Sequence, residues 1–559
     1  MKKIGRMVLA TVLVAWTLCG GLLGCTIKTK KAQLFIGVYD GGVGTQWAYN
    51  LKQKFEEKYA NVQFDGAEEA GVVVEIVPKK QQYDRETLIA NIQSGNEKSD
   101  IYYTADANHY DFYRQGVCAD ITTYLNEKVY DDSGEFVGEG GTKSILDKMD
   151  SYYVRSFRQS GGKYFAVPFE DSLTGFVYDH DLFASRGWLN RWGTSHTEMY
   201  PQTVDEFFSM LELAYQGGVI PLTYAPYEAG FYTFAIIDAI SAQYEGVDDF
   251  NEYWGYYGGE NGKEYTFAAG TFTADELKGY EVSKNDASGQ TVKITEENAY
   301  LLTQMTGRRV AVDFAERLFG QNLRYIDGNT KSMTQSFTET QSAFVMSKIT
   351  SGKQPIGMIV EGEWWENEAR QAFEDSRSKG EQYGYGKRDF RYMPLPKFDG
   401  QKEEGTVIGC HNAGSACFIS EKSTRKDLAA LWLQFSLSES ALEAFTLQTG
   451  CQQGYEFDLS EEQQNSLTKF AKNVYDIKHG KTNMKVGRIT ARCDFAANNA
   501  IHLNQNMKSS DTATDTESVV FNVIKDSGYS TDEIMKRFKH AYNKTAWTTE
   551  YNAYKGVKN

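Results

Sequence analysis

The chain alternates short apolar runs with amphipathic stretches, and the order of these fixes the reading. Leu34-Phe35-Ile36-Gly37-Val38-Tyr39 predicts a buried strand, followed by the glycine-rich turn Asp40-Gly41-Gly42-Val43-Gly44. Thr45 can cap a helix in which Ala48, Leu51, Phe55 and Tyr59 recur at helical spacing. Residues 72–77 predict a second strand, 88–94 a helix ended by Gly95, and 100–103 a third strand. This β-α-β-α-β series predicts a parallel sheet with helices on its faces, whose sites form at the carboxyl ends of the strands, here the loops 40–45 and 104–108. Further strands are predicted at 165–168, 175–178, 355–360, 390–395 and 417–419, with a turn at 361–365 and a helix at 427–435. Thr203 and Glu206 form a capping box ahead of Phe207, Leu211 and Ala214. No internal repeat occurs, which argues against solenoids and propellers. Two α/β lobes fit best.

The N-terminus changes the picture. Lys2, Lys3 and Arg6 precede an uncharged, largely apolar stretch from Met7 to Gly24, the charge order of a secretory signal. It closes on Leu22-Leu23-Gly24-Cys25, which resembles a bacterial lipobox, with Cys25 as the lipidated first residue of the mature protein. The alternative is an uncleaved membrane anchor, against which stand Gly20, Gly21 and Gly24. The chain has 59 Lys plus Arg against 75 Asp plus Glu, a net of −16 that repels nucleic acid and anionic lipid. Residues 1–24 hold three basic and no acidic residues, so their removal takes the net charge to −19.

Of seven cysteines, Cys118, Cys410, Cys417, Cys451 and Cys493 remain after processing and lipidation, an odd number that leaves at least one free thiol. Cys410 and Cys417 can be neighbours on a strand and turn, but most are expected to be buried and unpaired. No Cys-x-x-Cys pair or His-Glu-x-x-His occurs, so no metal site is predicted, and Asp131-Asp132-Ser133-Gly134-Glu135 lacks EF-hand spacing and reads as a solvated turn. Gly42-Val43-Gly44 lacks the third glycine of a dinucleotide fingerprint, Gly480-Lys481-Thr482 lacks the upstream glycine of a P-loop, and no Gly-x-Ser-x-Gly elbow is present. No cofactor is expected.

In this order the residues resemble a known family. Val38 to Trp47, Gln93-Ser94-Gly95 with Ser99-Asp100-Ile101-Tyr102, Gly116 with Asp120-Ile121-Thr122, and Lys163-Tyr164-Phe165-Ala166-Val167-Pro168 leading to Gly175 to Phe183 and Pro201 to Phe207 are similar to successive landmarks of the family 1 extracellular solute-binding lipoproteins of ATP-driven importers. This group binds sugars and oligosaccharides and includes the maltose-binding protein. Gly357-Met358, Gly362-Glu363-Trp364 and Met393-Pro394-Leu395-Pro396 complete the order. Asp179 stands where the family has Asn and Val204 where it has an aromatic, and 256–292 and 506–516 read as insertions without counterpart. The resemblance implies an α/β, two-lobed periplasmic-binding-protein-like (type II) fold with a hinge between lobes, the chain crossing near 168–172 and 408–413. Its parts are a signal at 1–24, a linker at 25–33, one lobe at 34–168 plus 409–455, and the other at 172–408 plus 456–559. It also implies a monomer anchored by lipid at Cys25 on the outer face of a Gram-positive cell membrane, passing a carbohydrate to the transmembrane subunits of a permease.

A sugar offers hydroxyls and an apolar C–H face, so its site needs aromatic rings together with carboxylates and amides. The loops supply Asp40, Trp47, Asp106, Asn108, Glu170 and Asp171 from the first lobe and first crossing, and Tyr232, Glu361, Glu363 and Trp364 from the second lobe, with Tyr227 and Glu228 nearby. Trp364 falls at the family's stacking position, whereas Trp365 reads as core. Each choice has a structural rival: Trp47 can pack its helix, Asp40 can form a turn before Gly41-Gly42, and Asp106 and Glu170 can cap helices or bond within the hinge. Binding of a peptide or polyamine, or glycoside hydrolysis by a pair such as Glu170 and Glu363, are the alternative functions.

Overall fold

The computed structural model describes residues 29–79, 85–105, 109–189, 200–225, 229–254, 262–321, 323–332, 335–410, 415–488, 507–508, 517–518 and 528–558. Cys25, Asp106, Asn108, Tyr227, Glu228 and Cys493 lie outside them. Two sheets organise the fold. In the first, Ala32–Tyr39 lies between Val72–Lys79 and Ile101–Thr104, all parallel, with Leu34 opposite Val74 and Ile36 opposite Ile101. Ala416–Ile419 then pairs antiparallel to Ile101–Thr104, and Val167–Pro168 antiparallel to it in turn. Helix Gln46–Lys58 covers this sheet with Ala48, Leu51 and Phe55, as the spacing predicted, and with Trp47 as well, while Tyr59 ends it. Thr45 occupies the cap position but makes no capping bond; its hydroxyl instead lies 3.4 Å from Asp40 Oδ1.

The second sheet runs Met484–Arg488, Thr406–Cys410, Leu173–Asp179, Ile356–Gly362 and Ile220–Thr223, with Phe390–Met393 pairing to the distal half of Leu173–Asp179. Leu173–Asp179 is antiparallel to every strand it touches. Its alternation divides the packing: Leu173 and Val177 join Ile359, Trp365 and Phe390 in the core that continues from the first lobe. Phe176 and Tyr178 face the other way, with Met358 and Val360, onto a second core built with helices Ala229–Glu245 and Thr306–Ala315. The capping box is formed, Thr203 accepting from the Glu206 amide and Glu206 from that of Thr203.

The departures from the family pattern have physical counterparts. Asp179 is fully buried, accepts the amide of Leu182 at 2.9 Å, and pairs with Arg388 at 2.5 Å and Lys348 at 3.2 Å. A carboxylate there balances two cations that an amide would leave uncompensated. The first insertion folds into a three-stranded antiparallel sheet, with Gly289–Ile294 between Lys263–Phe267 and Val282–Asp286. It buries Tyr265, Phe267 and Val292 in the second core, so it thickens that lobe rather than hanging from it. At the second insertion Met507–Lys508 pairs with Glu517–Ser518.

Removing one partner of a buried ion pair strands the other charge in a low-dielectric interior. Asp179→Ala is expected to lower the unfolding free energy in urea by about 3–5 kcal/mol, and the added change Arg388→Leu to recover part of that loss. Equal stability of wild type and Asp179→Ala would show that the pair carries no weight.

Candidate functional site

The chain passes between the sheets at Phe169 to Ser172, and Asp171 is the centre of the passage. Both carboxylate oxygens of this buried residue are gripped by Arg488, through Nε and an Nη at 2.8 Å each. Oδ1 also accepts from the Tyr153 hydroxyl at 2.5 Å and the Cys410 thiol at 3.2 Å. Lys478, at the end of helix Lys469–Lys478, donates to the backbone carbonyl of Asp171 and lies 2.9 Å from Glu363 Oε2. Glu363 accepts from the amides of Leu173 at 2.9 Å and Gln452 at 3.1 Å, and Asp171 donates its own amide to the Gln452 carbonyl. Burial raises the Asp171 pKa, but Arg488 and Lys478 outweigh it and hold the carboxyl well below the usual range. Burial works against the Lys478 charge too, yet Glu363 and Asp171 hold it above the usual lysine range. Asp171 and Glu363, chosen from the sequence as ligand groups, are thus engaged with Lys478 and Arg488 in a buried cluster at the crossing.

Beside this cluster the lobes face each other across Trp364. Its ring folds over Gly362 of its own chain, and a methyl group added at Gly42 of the first lobe would lie 3.5 Å from its Cβ and Cγ. Trp364 is half-buried, whereas Trp365 is fully buried against Phe344, Phe390 and Phe470. Glu361, one step before the strand ends, accepts from Gln341 Nε2 at 3.0 Å and bonds with Tyr232. The same Gln341 nitrogen lies 2.7 Å from Glu368 Oε2, and Glu368 Oε1 accepts the Gly42 amide at 3.1 Å. Burial, and then the neighbouring Glu368, push Glu361 up to about 8. Glu368 is raised by burial, and so is Glu366, to about 7. Tyr232, Glu361 and Trp364 are therefore brought together, joined by Gln341 and Glu368.

The other choices are placed as follows. Asp40 sits in the turn, its amide bonded to the Lys79 carbonyl at 2.8 Å. Trp47 is buried against Tyr103, Phe169 and Phe445, and its indole N–H donates to the Gly44 carbonyl at 2.9 Å, which is a packing role. Glu170 is buried in the crossing, its amide donated to Ser415 Oγ at 2.8 Å. Asp131 accepts from Ser133 and from the Glu135 amide, a closed turn. Among the described residues one group of possible metal ligands converges, His180, Asp181 and Asp389, at the far end of strand Leu173–Asp179, where Arg391 already holds Asp389 by two bonds. Cys118, Cys410, Cys417 and Cys451 are buried and unpaired. Lys478, Arg488, Gln452, Gln341 and Glu368 escaped sequence reasoning. Only the density of Glu361, Glu363, Glu366 and Glu368 hinted that buried carboxylates needed partners.

A family model described as bacterial extracellular solute-binding protein matches residues 51–451. Among solved structures, a probable secreted solute-binding lipoprotein from Streptomyces coelicolor is similar over 91% of this chain and 98% of its own, at TM-score 0.54 and 10% identity. The apo form of RafE from Streptococcus pneumoniae is similar over 93% and 98%, at TM-score 0.52 and 13% identity. RafE in complex with raffinose is similar over 92% and 99%, at TM-score 0.51 and 13% identity. At these identities the likeness is one of fold, and the two-lobed α/β architecture is that of solute-binding proteins. No curated protein matches the sequence.

Two outcomes test this electrostatic picture. Lys478→Met is expected to cost about 3–5 kcal/mol in urea unfolding, because the buried Glu363 carboxylate loses the cation that faces it; unchanged stability would contradict the cluster. Glu361 binds its proton more tightly folded than unfolded, so its contribution to stability is fully present below its ordinary value of 4.5 and is lost as pH rises towards about 8. Melting temperatures measured across that window should fall more steeply for wild type than for Glu361→Gln. Parallel profiles would contradict the raised value.

Proposed function

The chain belongs to the bacterial extracellular solute-binding proteins, and on that footing we propose that it captures a carbohydrate, an oligosaccharide, between its lobes and delivers it to the permease of an ATP-driven importer. The observation that carries this reading is Trp364: a half-buried indole facing the first lobe at Gly42, with buried carboxylates and an amide alongside. That combination matches the apolar face and hydroxyls of a sugar. The raffinose held by RafE, a structure of the same fold, supports the same class of ligand. Residues 34–168 with 409–455 make one lobe in this reading and 172–408 with 456–559 the other. Trp364, Glu361, Tyr232, Asp40 and Glu170 contact or orient the ligand, together with Asp106 and Asn108. Asp171 and Glu363 serve the hinge, and Trp47 the core. Lipid on Cys25 holds the monomer at the outer face of the cell membrane. No residue is assigned a catalytic role, in keeping with a family of binding proteins.

A thermal-shift screen of raffinose and maltotriose against tripeptides and spermidine tests the class, since a ligand selective for the folded state raises its stability by mass action. Stabilisation by an oligosaccharide, with the sugar recovered unchanged, is the expected result. Stabilisation by a peptide or polyamine alone, or release of hydrolysis products, would overturn the reading. For the sugar that binds, Trp364→Ala is expected to weaken affinity about tenfold or more.

A further inference from the structure

One residue of the first lobe is held on both its polar groups by the second. The Gly42 amide donates to Glu368 Oε1 at 3.1 Å, and the Gly42 carbonyl accepts from Asn367 Nδ2 at 3.1 Å. Gly42 lies in the loop after strand Ala32–Tyr39, while Asn367 and Glu368 lie on the short helix Trp365–Glu368 that follows Trp364. The grip depends on glycine. Its φ is +53°, a conformation that residues with a side chain rarely adopt, while a methyl group added there would meet Trp364 at an ordinary contact distance of 3.5 Å.

Glu368 is aimed from behind. Gln341, fully buried on helix Phe337–Ser347, points its amide nitrogen at Glu368 Oε2 and Glu361 Oε1, and its own carbonyl oxygen has no partner among the described residues. The amide is therefore oriented by the two carboxylates, which fixes where the remaining oxygen of Glu368 meets the first lobe. Opening the lobes exchanges these bonds for bonds to water, so their net contribution is modest. That is the magnitude a reversible hinge needs, because ligands act only on states that lie close in free energy.

We propose that Asn367 and Glu368, backed by Gln341, form a clasp on the Gly42 peptide that seats the loop 40–45 over Trp364, making them positioning residues for closure. The inference rests on closure of two lobes about a hinge, but not on the identity of the ligand. Hydrogen–deuterium exchange of the full chain without ligand tests it, read on the peptide spanning Asp40 to Trp47. Slow exchange is expected in wild type, exchange faster by about tenfold in Glu368→Ala, and retained protection in Glu368→Gln, which keeps an acceptor oxygen for the amide. The rest of helix Gln46–Lys58 should exchange as in wild type in all of them. Asn367→Ala, at a partly exposed position that threatens folding less, should accelerate exchange in the loop and enlarge the radius of gyration in X-ray scattering. Identical exchange in wild type, Glu368→Ala and Asn367→Ala would overturn the clasp, as would a glutamine variant no better protected than alanine. No sugar enters the measurement, so its failure and failure of the ligand screen are separate results.

Discussion

Lys478 decides how the passages between the lobes can be packed. The backbone and side-chain polar groups that meet at Asp171, Glu363 and Gln452 are shut away from water, and buried groups must find partners or lose several kcal/mol each. One ammonium, reaching the carbonyl of Asp171 and the carboxylate of Glu363, supplies donors to two of the three segments. Arg488 holds the Asp171 carboxylate by two bonds and adds a contact 3.4 Å from Asp150 of the first lobe. The arrangement is expensive in desolvation and gains little net stability over an apolar core. What it provides is registry: strand Leu173–Asp179, helix Lys469–Lys478 and strand Met484–Arg488 can each occupy one position if every charge is to be met.

Two carboxylates at neighbouring positions show how sharply the surroundings divide here. Glu363 lies against a lysine and two amides, while Glu361, at the end of the same strand, lies against another carboxylate and a glutamine. The first is raised above the ordinary carboxylate range, burial outweighing Lys478 and the two amides. The second holds its proton to about pH 8 and so faces the junction as a group able to donate as well as accept. Electrostatic partners, not distance along the chain, set the two carboxylates apart.

The period-2 and period-3.6 patterns were enough to read the strands of the first sheet and Leu173–Asp179, Ile356–Gly362 and Phe390–Met393 of the second, because burial on a face leaves a local trace, but not Ile220–Thr223, Thr406–Cys410 or Met484–Arg488. The box at Thr203 and Glu206 and the core role of Trp365 were legible for the same reason. Asp171 was read as a residue of the crossing and Glu363 as a ligand group of the second lobe; that the two share one cluster was not legible, since Lys478 and Arg488 come from distant chain and carry no motif. Trp47 illustrates the opposite error: a tryptophan at the far end of a ligand-type loop is indistinguishable in sequence from one whose ring turns inward to Phe169 and Phe445. The clasp on Gly42 was invisible, because a hydrogen bond to a peptide group selects no side chain on the side that is held. The insertion at 256–292 was read only as polar and without counterpart, because its strands are short and expose many of their residues.

The four buried thiols have a consequence for how such a protein survives where it works. Cys118, Cys410, Cys417 and Cys451 sit at 5% exposure or less, and burial pushes each above its ordinary ionisation range, so thiolate, the species that oxidants attack, is scarce in the folded state. None is bridged to another among the described residues. Among the described residues the fold therefore asks nothing of an oxidase or a disulfide isomerase. The hazard falls entirely on the interval between translocation and packing, when the same thiols are open to mispairing, and the speed of collapse becomes the protection that a disulfide would otherwise give.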